Sequence, residues 1–316
     1  RISCADAQPH VPIVIVRKSP TMHNDPPPNA RPRHPLEREP APPPSPGAAG
    51  EKQPRRATLH IPTVRPTVTY VIIAVNVAIF ILRTLSRQID FDLLIWGANQ
   101  PIAVLQDGEA YRLFTSMFLH ASIYAPGEGF AFVNALHLIF NMFILYAEGS
   151  RTESMFGHAR FAVIYLLGGL AGSVLSASFN LPPETYSLGA SGAVFAVLGA
   201  RLVFLYKHRK LFGANGRAEI GRVTYLLGIN LVFGLVSTFG SALGRIDNWA
   251  HLGGALGGAA LAWAIAPFFV LRTHPDQPDH ILAEDVNPLR RHYRDIVLFA
   301  VALMAILIVG RLLTGG

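Results

Sequence analysis

Four polar residues stand in stretches that are otherwise apolar: Ser191 within Gly189-Ala190-Ser191-Gly192, His251 after Ala250, and His137 with Asn141. A serine hydroxyl beside an imidazole is the requirement for a base-activated nucleophile. His137 and Asn141 are spaced i, i+4, so both side chains lie on one helix face, where an imidazole and an amide can donate hydrogen bonds to a developing oxyanion. Each signal has a plainer reading. Small residues let membrane helices approach closely, so Gly-x-Ser-Gly by itself is as compatible with packing as with catalysis. An Asn-His pair can equally be an interhelical polar clamp. Two histidines can also hold a metal, but there is no His-Glu-x-x-His run, and the only acid near either histidine is Asp247, too little to complete a tetrahedral site. Neither a metal nor a cofactor is expected.

The elements that must position these groups are membrane helices. Of 316 residues, 51% are hydrophobic and only 15% charged, which excludes an ordinary soluble domain. Apolar runs lie at about 68–82, 134–146, 161–179, 188–206, 223–239, 249–270 and 296–313. In lipid these must be helices, because a helix satisfies its own backbone polar groups. The predicted fold class is therefore all-α and polytopic. The net charge of +7 does not indicate nucleic acid, since the basic residues lie in loops and form no amphipathic face with interleaved aromatics.

Charge asymmetry supplies an orientation. The loop after the fourth run carries Lys207, Arg209, Lys210, Arg217 and Arg222 against Glu219, whereas the short loop before it carries Glu184 and no base. The first is expected inside and the second outside. Lys52, Arg55, Arg56 and Arg65 place the N-terminal side inside, as Arg290, Arg291 and Arg294 do for the start of the seventh run. The fourth and sixth helices then both run inward from the external face, with Ser191 and His251 within the first few residues of each. At about 1.5 Å rise per residue they sit at similar depth. Gly254 and Gly258 form a flat face on the sixth helix, and Gly192 and Gly199 offer a matching face on the fourth.

Residues 1–60 hold 14 of the 24 prolines and no Phe, Trp or Tyr, which predicts a disordered cytoplasmic tail. A core of six helices over 61–270, a polar linker over 271–295 and a last helix with the C-terminus over 296–316 complete the expected organisation. The connection at about 84–133 is too long to be a simple tether. The one cysteine, Cys4, permits no disulfide within the chain.

Taken together, Gly189-Ala190-Ser191-Gly192, His137-x-x-x-Asn141 and Ala250-His251-x-x-Gly254-x-x-x-Gly258 resemble the signature of the rhomboid intramembrane serine proteases. Tyr111-Arg112 is similar to the family's Trp-Arg pair, and Glu153 with Gly157 matches its acidic and glycine positions after the second helix. The resemblance covers about residues 60–270. It implies a Ser-His dyad with no third acidic member, Ser191 as nucleophile and His251 as base and then acid. His137, Asn141 and the Ser191 N–H would stabilise the oxyanion, with Gly189, Gly192, Phe195, Gly254 and Gly258 in support. The implied substrate is the transmembrane segment of another protein, met in the lipid bilayer and cut near its outer end. A seventh helix after the core resembles the family's 6+1 layout. Arg112 is assigned no catalytic step.

The chain departs from the pattern in three places. Tyr111 replaces Trp. Phe195 stands where many members have a Tyr that stacks on the catalytic histidine, so it can stack but not hydrogen-bond. The stretch 121–133 lengthens the gap between His120 and His137, which predicts an enlarged external loop. The alternative reading is a non-catalytic relative that binds membrane proteins for trafficking or degradation; such relatives typically lack the Ser or His, and both are present here. A transporter would show inverted repeats and charged residues at the midplane, and no clear repeat is visible. The expected location is the plasma membrane, with the active site near the external face and a secretory-pathway membrane as the eukaryotic alternative.

Overall fold

The computed structural model describes residues 10–16, 56–124, 131–180, 185–237, 246–274 and 277–314. The chain divides into two compact units, one over 62–270 and 284–316 and a smaller one over 10–61 and 271–283.

The larger unit is helical, and each of the seven apolar runs overlaps a helix, although the run at 249–270 ends in a strand and residues 238–239 lie outside those described. In chain order the elements are α1 (Thr67–Thr84), α2 (Arg87–Gly97), α3 (Pro101–Leu105), α4 (Arg112–Thr115), α5 (Ala135–Ile144), α6 (Ser150–Phe156), α7 (His158–Phe179), α8 (Ser191–Lys207), α9 (Arg209–Ser237), α10 (Asn248–Ile265) and α11 (Tyr293–Leu313). A π-helical segment, Leu145–Gly149, joins α5 to α6. Among the described residues α1, α7, α9 and α11 are each long and apolar enough to cross a bilayer, and the protein is an integral membrane protein. The centre is α7, whose Phe161, Ile164 and Tyr165 are fully enclosed, while α11 is almost wholly exposed to the surroundings.

Local chemistry sets the helix ends. The side chain of Ser86 accepts the Ile89 N–H at 3.1 Å and so caps α2. No side chain caps α1 from its own N-cap residue; instead the buried carboxylate of Glu153 accepts the N–H groups of Val68 at 2.9 Å and Thr69 at 2.7 Å, together with the Thr69 hydroxyl. Donors that a helix start leaves unpaired are thus satisfied from α6, which ties the two elements together. Arg112 closes the connection between α1 and α5 by donating to the carbonyls of Ile95 and Ala98 at the end of α2, and to Glu109.

Three expectations change. The stretch after α8 is not a loop: α9 starts at Arg209 and carries Lys210, Arg217 and Arg222 on its surface, broken only at Gly213, whose φ of 55° takes the chain out of helical geometry. Lys and Arg are good helix formers, so charge alone does not mark a loop. The region 1–60, expected to be disordered, contains β1 (His10–Val16) and most of β2 (Arg56–Pro62); its remaining residues lie outside those described. The stretch 271–295, expected to be a linker, contains most of β3 (Phe269–His274) and all of β4 (Gln277–Asp285). The four strands form one sheet in the order β1-β2-β4-β3, with β2 parallel to β4 and Leu59 opposite Ile281. Short runs rich in branched side chains, such as Val11-Pro12-Ile13-Val14-Ile15-Val16, carry strand propensity that average proline content conceals. Of the enlarged loop expected at 121–133, residues 125–130 lie outside those described.

Candidate active site

The site is assembled where α7, α8 and α10 meet almost backbone to backbone. A Cβ placed on Gly254 would lie 2.0 Å from the carbonyl oxygen of Gly192, one on Gly258 2.0 Å from that of Ala196, and one on Gly199 2.2 Å from that of Ala255. From the third side, a Cβ on Gly172 would come within 2.6 Å of the Ala250 carbonyl. Any side chain at these positions would force the helices apart, so glycine is what permits the crossing. The sequence pairs the Gly254–Gly258 face with Gly192 and Gly199; in three dimensions Gly254 meets Gly192 directly, while Gly199 meets Ala255 and Gly258 meets Ala196.

Ser191 is the first residue of α8 and half-buried. The turn before it passes through Gly189, whose φ of 132° is one that other residues rarely adopt. This turn is held by the Gly189 N–H donating to the Ser116 carbonyl at 2.9 Å. His137, on α5, packs its ring against the same glycine: a Cβ there would sit 2.9 Å from Cε1 and 3.0 Å from Nε2 of His137, and 3.7 Å from Ser191 Oγ. Gly189 therefore brings the His137 edge and the serine hydroxyl to one place.

His251 lies in the first turn of α10 and is buried. Its ring stacks on Phe195, one turn along α8 from Ser191, with centroids 4.1 Å apart and planes 10° from parallel. Among the described residues its Nδ1 has no hydrogen-bond partner, and no direct hydrogen bond joins it to Ser191. Among the described residues, Asp247 and His137 are the titratable groups within electrostatic reach of the ring.

The Nδ1 of His137 accepts the Ala121 N–H in a long bond of 3.4 Å, which assigns the proton of a neutral ring to Nε2, the nitrogen nearer Gly189. Asn141 is one turn further on, and its Nδ2 donates to the His137 carbonyl at 2.8 Å. One of its two amide hydrogens is thus committed to its own helix and the other is not.

Sequence reasoning misses His120 as a site residue, because it falls in a connection with no periodicity to place it. It is almost fully enclosed, its ring centroid is 5.3 Å from that of His137, and neither of its ring nitrogens has a partner among the described residues. Burial, with His137 and Arg83 nearby, pushes its imidazole down to about 3, so it is neutral throughout the physiological range. Among the described residues no group of His, Cys, Asp and Glu is arranged to hold a metal ion.

Comparison with known proteins falls on the same stretch. Residues 128–268 match the family model described as the Rhomboid domain. The chain is 35% identical over 207 residues to the rhomboid protease GluP of Bacillus subtilis, an alignment covering 64% of this chain and 35% of that protein. It is 35% identical over 216 residues to RHOMBOID-like protein 2 of Arabidopsis thaliana, covering 68% and 59% of the two chains. RHOMBOID-like protein 6, mitochondrial, of the same plant is 36% identical over 169 residues, covering 54% and 48%. The chain thus spans between about a third and three fifths of the length of these relatives.

Proposed function

We propose, from the premise that the chain belongs to the rhomboid family, that it is an intramembrane serine endopeptidase working through a Ser191–His251 dyad. The observation that carries this reading is the delivery of Ser191 and His251 to the start of two helices locked together at Gly192 and Gly254, with the imidazole oriented by Phe195.

In the proposed reaction the Ser191 Oγ attacks the carbonyl carbon of a peptide bond while His251 takes the hydroxyl proton. The resulting oxyanion is met by the Ser191 N–H, by His137 Nε2–H and by the free amide hydrogen of Asn141. His251 then gives its proton to the leaving amine, and the acyl-enzyme forms. Water, deprotonated by His251, attacks the acyl carbon in turn and releases the new carboxyl end and Ser191. The Nδ1 of His251, which has no partner among the described residues, fits a dyad without a third acidic member. Geometry for the serine–histidine hydrogen bond often tightens only when substrate is bound.

The substrate class is a transmembrane segment of another protein, approached within the bilayer. The basic residues ahead of α1, at the start of α9 and ahead of α11 favour a cytoplasmic N-terminal side and a site near the external face, and the membrane we propose is the plasma membrane.

The test is cleavage of a single-pass membrane protein by the reconstituted chain beside Ser191→Ala and His251→Ala. Product from the wild type and none from either variant, with all three folded, is the expected result. Cleavage persisting in either variant removes the dyad. An inert wild type whose Ser191 is not labelled by a fluorophosphonate would instead favour the membrane-protein-binding alternative.

A further inference from the structure

The contacts Gly192–Gly254, Ala196–Gly258 and Gly199–Ala255 hold α10 against α8, but all of them lie inward of the segment that leads into Ser191. We propose that the carboxylate of Asp247 ties that segment to α10, as a positioning residue that sets His251 against the chain leading into Ser191. The inference rests on the protease reading.

Asp247 touches three elements with two oxygens. Its Oδ1 accepts the Ala250 N–H at 2.9 Å and so caps α10, the helix that carries His251. Its Oδ2 accepts the hydroxyls of Ser176, on α7, and of Ser187, in the segment that leads into the nucleophile. Ser187 is itself fixed on its other side: its N–H donates to the Asn99 carbonyl at 2.7 Å and its carbonyl accepts the Asn99 N–H at 2.9 Å, an isolated antiparallel bridge to the end of α2. Asn99 also donates through Nδ2 to the Ser173 carbonyl of α7 at 2.9 Å. Ser176 receives a further bond, at 3.0 Å, from Asn180 Nδ2. The segment four residues ahead of Ser191 is therefore anchored to α7 and α2, and the carboxylate of Asp247 links that anchored assembly to the start of the His251 helix.

A cap alone needs one oxygen and no serine, so the use of both oxygens, one of them by residues 60 and 71 positions away, distinguishes this arrangement from ordinary helix capping. Nor is Asp247 a third catalytic member, since the Nδ1 of His251 has no partner among the described residues and both carboxylate oxygens are occupied elsewhere. Without the Asp247 carboxylate, the segment at Ser187 and the first turn of α10 would be free to shift relative to one another. A displacement on the order of 1 Å between nucleophile and base costs roughly 10²-fold in rate while leaving substrate affinity largely alone.

The experiment uses the reconstituted full chain with Asp247→Ala, Asp247→Asn and Ser187→Ala, reading kcat, KM, the rate of Ser191 labelling by a fluorophosphonate, and thermal stability. Asp247→Ala is expected to lower kcat and labelling by about 10-fold or more per folded molecule, with KM within about 2-fold. Asp247→Asn is expected to stay within about 3-fold of wild type, because asparagine caps as well as aspartate and its amide can donate to serine hydroxyls that reverse their rotors. Ser187→Ala, which keeps the cap, should lower kcat several-fold without a large change in melting temperature. Wild-type kcat in Asp247→Ala, whatever its melting temperature, overturns the inference, as does an Asp247→Asn variant as slow as Asp247→Ala. If the wild type neither cleaves nor labels, the protease reading itself is overturned, an outcome separate from the first two.

Discussion

Gly254→Ala puts one methyl group where the structure has no room for it. The added carbon would lie 2.0 Å from the Gly192 carbonyl oxygen, 2.8 Å from its carbon and 3.2 Å from its Cα, whereas ordinary contact begins near 3.4 Å. All three atoms are helix backbone, so no side chain can rotate aside, and α10 must move off α8 by more than 1 Å as an order of magnitude. His251 is three residues away on the same helix and moves with it. Overpacking of this kind costs about 1–3 kcal/mol of stability. For the proposed dyad the cost to catalysis is larger: a misplacement of about 1 Å is worth roughly 10²-fold, or about 2.7 kcal/mol of transition-state stabilisation. Gly228→Ala is the control, since a Cβ there meets nothing within 4 Å on α9, and replacing glycine in a helix interior should stabilise by about 0.5–1 kcal/mol. Both variants would be reconstituted and compared for kcat, Ser191 labelling and melting temperature. Gly254→Ala with kcat within about 3-fold of wild type would refute the argument that this backbone contact sets the distance between the two proposed catalytic groups.

Three further outcomes follow from the geometry. Asn141→Ala should reduce kcat with little change in KM, because an oxyanion donor acts in the transition state; its one committed bond to the His137 carbonyl limits the expected loss to about 10-fold, and an unchanged kcat would leave Asn141 as packing. Phe195→Leu removes the ring stacked on His251, a contact of about 0.5–1.5 kcal/mol, and should slow Ser191 labelling by up to about 10-fold with the fold retained. Glu148→Ala should lower stability by about 3–5 kcal/mol in equilibrium unfolding, since this buried carboxylate pairs with Arg201 at 3.1 Å and with Arg222, and its loss leaves the buried Arg201 with Glu219 alone; Glu148→Met combined with Arg201→Met should recover most of that loss.

Much of this was legible in the linear chain because the bilayer makes hydropathy a one-dimensional code. Long apolar runs have only the helical solution, and Gly189-Ala190-Ser191-Gly192 and Ala250-His251 stand out in them as polar residues without an obvious partner. The reading failed where local composition and local structure part company. Basic residues after α8 belong to the helix α9, and short branched runs within proline-rich or polar stretches form strands.

Sequence alone therefore determined the class of the protein, the resemblance to a family, and which side chains are candidates for chemistry, since these depend on residue type and short spacing. Only the tertiary structure decided who meets whom. Glu153 caps a helix start at Val68, 85 residues before it, His137 reaches the turn at Gly189 from another helix, and Asp247 collects two serines from separate elements. The Asp247 contacts lie beside crossings of α7, α8 and α10 set by backbone approach at glycines such as Gly172 and Gly254, and a glycine's place in the chain carries no record of which carbonyl it will face.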